Sequence, residues 1–308
     1  MADVINNLSD INELAVSDPC GMIARAEERY DSALNKIVDV ISNNHSIEIV
    51  LLAGPSSSGK TTTANKINEK LHSVGHKAYT ISLDDFYRNS YDAILDENGK
   101  PDYETVNALD LDLLRNVLES LVTQRKASIP KFDFDTGLRT DNADEIQLIP
   151  GDVVILEGLH ALNPLIHESL PARALLKLYI SVSTRIYNDD GSVLFTKRDL
   201  RLVRRTVRDF SHRSSSVENT FSMWDSVLEG EQKYLAPYKY CADILIDSIH
   251  NYEPCVFKTR AIELFKAVDK ESIWFDKTQR LTKILECFET IPESLLPEQS
   301  LLKREFLC

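Results

Sequence analysis

Ile47-Glu-Ile-Val-Leu-Leu-Ala-Gly54-Pro-Ser-Ser-Ser-Gly59-Lys60-Thr61-Thr62 is the stretch that decides the fold of this chain. Residues 47–53 form an apolar run of strand length, and 61–71 carry helical spacing. Between them, Gly54 to Thr61 matches the phosphate-binding pattern G-x-x-x-x-G-K-[ST] without a mismatch. A strand, a Gly/Ser loop and a helix in that order aim backbone N–H groups and a helix N-terminus at one point, which suits a polyphosphate. Gly54, Ser56, Ser57, Ser58, Gly59, Lys60, Thr61 and Thr62 are therefore the expected phosphate cradle. Lys60 would reach the outer phosphates and the Thr61 hydroxyl would ligate Mg²⁺, so ATP or another NTP with Mg²⁺ is the expected cofactor pair.

Composition excludes several alternatives. A chain of 308 residues can bury a substantial core. Its net charge of −13 argues against a general nucleic-acid or anionic-membrane binder, because such proteins need a positive field. The five cysteines, at 20, 241, 255, 287 and 308, are scattered and contain no C-x-x-C pair. That pattern fits a reducing compartment, with neither a disulfide frame nor a zinc site. The first residues show no basic region leading into an apolar run, and no stretch approaches the roughly 18 apolar residues of a membrane span. A soluble cytoplasmic protein is expected, with a homo-oligomer left open.

Strand and helix patterns alternate from 47 to 247, the mark of a parallel sheet covered on both faces. Strands are expected at 47–53, 77–83, 128–134, 152–157, 175–182 and 242–246, and helices at 61–73, 108–124, 194–211 and 217–233. Before them, 22–41 reads as a helix packed on the core or, as an alternative, a dimer helix; Asp18-Pro19 is its start signal, weakened by Gly21. Asp96-Glu-Asn-Gly99-Lys-Pro101 is a turn signal inside a polar excursion placed to cover a substrate. After 251 the chain reads as core-covering helices. The organisation is thus a helical segment 1–45, a core 46–250 and a helical extension 251–308.

Phosphoryl transfer needs a metal partner and a proton acceptor beside the loop. Asp84-Asp85 and Glu157 stand at the C-terminal ends of strand patterns, where α/β topology places chemistry. Glu157 caps an apolar run in the manner of a metal-holding strand. One of Asp84 and Asp85 would take the proton of an attacking hydroxyl close to the metal; neighbours on extended backbone point opposite ways, so only one should face the phosphates. Arg201, Arg204, Arg205 and Arg208 recur at i, i+3, i+4 and i+7, with Arg213 beyond. Such a stripe, with no anionic partner apparent in the sequence, reads as a lid at about 194–215 that closes on the triphosphate and steadies the transferring charge.

Taken in order, Gly-x4-Gly-Lys-Thr, Ser-Leu-Asp84-Asp85-Phe-Tyr-Arg88, Lys131-Phe132-Asp133-Phe134-Asp135-Thr-Gly-Leu-Arg139, Val-Ile-Leu-Glu157-Gly-Leu-His and Arg204-Arg205-Thr-Val-Arg208-Asp209 resemble the uridine kinase/phosphoribulokinase family. Met223-Trp224, Gly230-Glu231 and the closing Ser300-Leu-Leu-Lys-Arg-Glu-Phe306 resemble its bacterial nucleoside kinase branch. The resemblance implies an α/β P-loop NTPase fold, with a mainly parallel sheet flanked by helices and an Arg-rich helical lid. It implies Asp84 as catalytic aspartate and metal neighbour, Lys60, Arg205 and Arg208 in transfer, and Arg204, Arg208 and Arg213 on the nucleotide. It also implies Thr61, Asp84 and Glu157 around Mg²⁺. On the acceptor it implies Asp84, Tyr87, Glu104, Phe132, Arg139 and Glu157. Phe132 and Gly137 depart from the Tyr and His with which animal-type members read a pyrimidine. The expected activity is transfer of the ATP γ-phosphate to a small-molecule hydroxyl, the 5′-OH of a nucleoside such as uridine. Alternatives are a polyol, sugar or phosphosugar acceptor, or a nucleotide-sensing regulator.

Overall fold

The computed structural model describes residues 5–95, 99 and 102–307; apart from Gly99, the expected 96–101 turn lies outside the described residues, as does Cys308. Helices α1 (Leu8–Ser17) and α2 (Pro19–Asn43) lead into β1 (Ile49–Ala53), the phosphate loop and α3 (Lys60–Ser73). Next come β2 (Ala78–Ser82), a 3₁₀ turn (Leu83–Phe86), α4 (Leu111–Gln124), β3 (Lys126–Asp133), β4 (Leu138–Gln147), β5 (Val153–Glu157), α5 (Pro164–His167) and β6 (Leu175–Ser181). A short hairpin of β7 (Ile186–Tyr187) and β8 (Val193–Phe195) precedes α6 (Lys197–Arg213) and α7 (Val217–Gly230). A π-helical turn (Glu231–Leu235) and a 3₁₀ turn (Ala236–Cys241) connect to β9 (Ile244–Asp247), and α8 (Glu253–Lys266) and α9 (Phe275–Glu286) follow.

Five strands make one parallel sheet in the order β2-β5-β1-β6-β9. β1 is central and buried along its whole length, which is why its sequence is a continuous apolar run rather than an alternation. Val50 and Leu52 enter the core shared with α2, α3, α6 and α8, while Ile49, Leu51 and Ala53 enter the one shared with α4. The helix expected at 22–41 is α2, and its buried residues pack on the first of these cores. Asp18 caps α2 by accepting from the Gly21 N–H at 2.9 Å. A Cβ at Gly21 would fall 2.0 Å from the Asp18 carboxylate, so the glycine belongs to the start signal instead of weakening it.

Three sequence expectations need correction. The strand expected at 128–134 exists as β3 but lies outside the parallel sheet, paired antiparallel with β4 in a separate hairpin. β4 itself is absent from the sequence expectations, because its exposed residues from Thr140 to Glu145 are polar except for Ala143 and show no alternation. Residues 193–195 are strand, so the arginine helix starts only at Lys197. No described helix is long and apolar enough to cross a membrane, and the four described cysteines are free.

Candidate active site

Strand order brings the expected acids to the loop. Leu52 of β1 and Ser82 of β2 are both in register with Glu157, so the segments after β1, β5 and β2 leave the sheet side by side. Gly54 is required where the loop begins: a Cβ there would lie 2.3 Å from the Ile180 carbonyl oxygen. Gly59, at φ +88°, turns the chain into α3 as its N-cap. Within the loop, Ser57 adopts φ +58°, and the buried hydroxyls of Ser57 and Ser58 have no hydrogen-bond partner among the described residues. Lys60 folds back, its Nζ donating to the Pro55 carbonyl at 3.3 Å. A left-handed loop residue, a glycine N-cap and a lysine folded over the loop are the local features that a phosphate cradle uses.

The metal candidates meet directly. Thr61 Oγ1 donates to Glu157 Oε1 at 3.0 Å. Burial pushes the Glu157 carboxyl up to about 7, opposed by Lys60 and reinforced by Asp84. Asp84 opens to solvent on the 3₁₀ turn after β2, yet the surrounding protein strips enough water to raise its pKa; Lys60 opposes this and Asp85 adds to it. A hydroxyl beside a desolvated carboxylate fits Mg²⁺, which prefers oxygen ligands and would supply the charge that burial withholds. Among the described residues no group of three or more His, Cys, Asp or Glu side chains could hold a metal, so phosphate oxygens and water would complete the shell.

The Asp84-Asp85 pair divides between two surroundings, although both residues sit on the 3₁₀ turn and not on extended backbone. Asp85 turns inward, accepting from the Phe132 N–H at 3.3 Å and pairing with Lys131 at 3.1 Å, so it ties β3 to the turn. Asp84 is the member felt by Lys60 and Glu157.

The arginine helix departs from expectation, because its inner face is not without anions. Arg201 pairs with Glu231 and donates to the Ser56 carbonyl at 2.9 Å. Arg204, expected on the nucleotide, is fully buried in a two-pronged pair with Glu253, with further bonds to Ser248 and to the Ser57 carbonyl at 3.2 Å. It therefore holds the loop from behind and cannot swing to a phosphate without stranding Glu253. Arg205 bonds Asp209 at 3.1 Å and the Ser56 hydroxyl at 3.0 Å. Arg208 lies 3.5 Å from Asp209 and 3.6 Å from Glu305, and the exposed Arg213 lies 3.4 Å from Asp209. Asp209, Glu231, Glu253 and Glu305 thus carry roles that sequence reasoning did not assign. Glu231 follows Gly230 at the end of α7, but only the fold shows whom these anions meet.

On the acceptor side, Glu104 leans against Gly230, where a Cβ would fall 2.8 Å from the Glu104 side chain. Burial, then the charge of Glu231, lifts the Glu104 carboxyl to about 7, while Arg205 and Lys60 pull it down. Arg139 is not the free acceptor ligand expected: its guanidinium bonds Asp141 at 2.7 Å and Asp110 at 3.1 Å, locking the hairpin to the cap of α4. Gly137 sits at φ +68° in the β3–β4 turn, a conformation that favours glycine whatever the ligand. Phe132 is buried, with its ring edge-on to Tyr87 and Phe134, so the exposed Phe134 rather than Phe132 offers an open face. Tyr87 donates its hydroxyl to the Tyr103 carbonyl at 3.0 Å. His160, given no role by sequence reasoning, is buried edge-on to Tyr234, and burial pushes its pKa down to about 4 against the opposing pull of the Glu104 backbone.

The chain is similar to several known proteins. A protein called uridine kinase from Ligilactobacillus salivarius is 30% identical over 200 residues, covering 64% of this chain and 84% of its own. Another of that name, from Halobacterium salinarum, is 29% identical over 196 residues, covering 63% and 77%. A solved structure titled as a possible uridine kinase from Bacillus stearothermophilus aligns with a TM-score of 0.42 at 16% identity, covering 65% of this chain and 89% of that one. Residues 49–253 match the Phosphoribulokinase / Uridine kinase family, spanning the loop, both acid sites and the arginine helix. The chain belongs to that family of phosphotransferases.

Proposed function

We propose that the protein transfers the γ-phosphoryl group of ATP, or of another NTP, to the 5′-OH of a nucleoside such as uridine. The observation that carries the reading is the convergence of Lys60, Thr61, Asp84 and Glu157 at neighbouring strand ends. Asp84 accepts the proton of the acceptor hydroxyl as its oxygen bonds to the γ-phosphorus. The bond from that phosphorus to the bridging oxygen breaks, and the nucleoside diphosphate leaves. Lys60, Arg205 and Arg208 face the charge on the transferring group, where fixed cations act without reorganising. Thr61 and Glu157 would hold Mg²⁺, which neutralises phosphate charge when bound. Glu104 accepts from the ribose hydroxyls, and Phe134 and Tyr103 edge the cleft with aromatic surface against which a base can stack.

A second reading, a polyol or phosphosugar acceptor, is favoured by one observation: the hairpin offers no free polar side chain at Gly137 or Arg139 to read a base edge. ADP release with ATP and Mg²⁺, screened over nucleosides, polyols and phosphosugars, separates the two. The first reading expects turnover with uridine and cytidine, the two within roughly ten-fold of each other, since weak edge contacts discriminate poorly. Turnover on polyols alone would replace it, and release of ADP without any acceptor dependence would overturn both.

A further inference from the structure

We propose that Glu305 is an internal anion of the phosphate-donor site: its carboxylate occupies, in the free protein, donors that the nucleotide's phosphates need, and so sets the affinity for the nucleotide. The inference rests on the donor-site reading above.

α3 begins without a side-chain cap, because its N-cap is Gly59. The first-turn N–H groups of such a helix are unmatched donors and its N-terminal end is positive. Glu305 Oε2 accepts from the Thr62 N–H at 3.3 Å and from the Thr62 hydroxyl at 2.5 Å. Its other oxygen lies 3.6 Å from Arg208. A backbone N–H at the loop helix, a hydroxyl and a guanidinium are the set that a phosphate would engage; the carboxylate meets the first two by hydrogen bonds and the third as a longer ion pair.

The carboxylate is delivered by a segment anchored on both sides of it. Leu301 packs so tightly on the loop that a Cβ at Gly59 would lie 2.7 Å from its Cδ1. Arg304 pairs with Glu69 of α3 at 2.8 Å. Phe306 is fully buried, edge-on to Phe257 and with the Arg204 guanidinium 5.2 Å from its ring centre. Glu231 offers a contrast: it also accepts from a loop N–H, that of Ser56 at 2.8 Å, but Arg201 neutralises it in a buried pair. Arg208 is shared with Asp209, which leaves Glu305 the less fully compensated of the two anions. A triphosphate entering the cradle must therefore displace Glu305 or bind against its charge.

The test is equilibrium binding of a non-hydrolysable ATP analogue with Mg²⁺ to the wild type and to Glu305→Gln, with no acceptor present. Glutamine keeps the shape and an accepting oxygen but removes the charge. The variant should bind roughly five- to ten-fold more tightly, as expected for the loss of one competing charge-assisted contact, and the KM for ATP should fall with it. Amide exchange over 300–307 should speed up when the analogue binds. A carboxylate that merely caps α3 would lower the melting temperature of the variant without tightening binding. Unchanged or weaker binding by Glu305→Gln, or slower exchange over 300–307 in the complex, would overturn the inference while leaving the donor site standing. A wild type that binds no analogue would overturn the nucleotide site itself, and this inference with it.

Discussion

Around the phosphate loop, Arg201, Arg204 and Arg205 are buried against Glu231, Glu253 and Asp209, and two of their bonds end on loop backbone. By contrast, the β3–β4 hairpin stands outside the main sheet, with a largely exposed second strand and Phe134 65% exposed. On the function proposed above, the donor half is a charged network locked into the core and the acceptor half a polar ribbon with an aromatic edge. Their tasks explain the difference. Triphosphate chemistry needs donors fixed before the reaction, since reorganisation costs rate. Acceptor selection needs only a wall, and walls on surface hairpins change without disturbing a core.

The sharpest break between the halves runs through two adjacent residues. Asp84 faces Lys60 and Glu157, whereas Asp85 is bound to Phe132 and Lys131 of the hairpin. Asp84→Asn should cut kcat by the roughly 10²–10⁴-fold assigned to a positioned base, with acceptor KM little changed. Asp85→Asn should spare kcat and raise the acceptor KM, because it frees the hairpin. Steady-state kinetics of the two variants decide this, and the reverse ranking would assign the base to Asp85.

The next effect lies in stability. Arg204→Met strands the Glu253 carboxylate in a fully buried site, and Glu253→Gln leaves the guanidinium without its anion. Removing one member of a buried pair typically costs about 3–5 kcal/mol, while replacing both by apolar residues is often near neutral. Urea melts should therefore show large losses for each single variant and a smaller loss for the Arg204→Met/Glu253→Met double variant. If Arg204→Met kept its stability and lost only ATP affinity, Arg204 would belong on the nucleotide after all.

This division also explains what could be read beforehand. The loop, β1, β5 and α3 were legible because their constraints are local: a buried parallel strand has to be apolar, and a phosphate cradle needs glycines at fixed offsets. The placement of Asp84 and Glu157 beside the loop was legible because both close strand patterns, and α/β sheets gather their strand ends on one side. The partners of the arginines were not, since Glu253 and Glu305 lie far along the chain from Arg204 and Arg208, and nothing local marks them. The hairpin failed for another reason. β4 buries little beyond Ile146, so no two-residue alternation was imposed on it. Arg139 was misjudged for want of its neighbour: Asp110 reads as a helix cap, and only the fold brings the guanidinium to it.

The smallest expected effect concerns Glu104, where the two halves touch. Its carboxyl is lifted to about 7 by burial first and by the nearby charge of Glu231 second. Raising a carboxyl above its unfolded value means that the folded chain binds the proton more tightly, so the stability it contributes is full in acid and lost as pH rises through 7. Acceptor binding runs the other way, because only the ionised carboxylate accepts from two hydroxyls. Between pH 6 and pH 8 the acceptor KM should therefore fall roughly three- to ten-fold, tracking ionisation of one group. Over the same span the stability of the free protein should decline relative to Glu104→Gln. That variant should show a higher and pH-independent KM. Initial rates at several acceptor concentrations across that range, beside thermal melts of the free enzyme, test both slopes. A KM that stays flat in the wild type would place Glu104 outside the acceptor site and leave it as packing against Gly230.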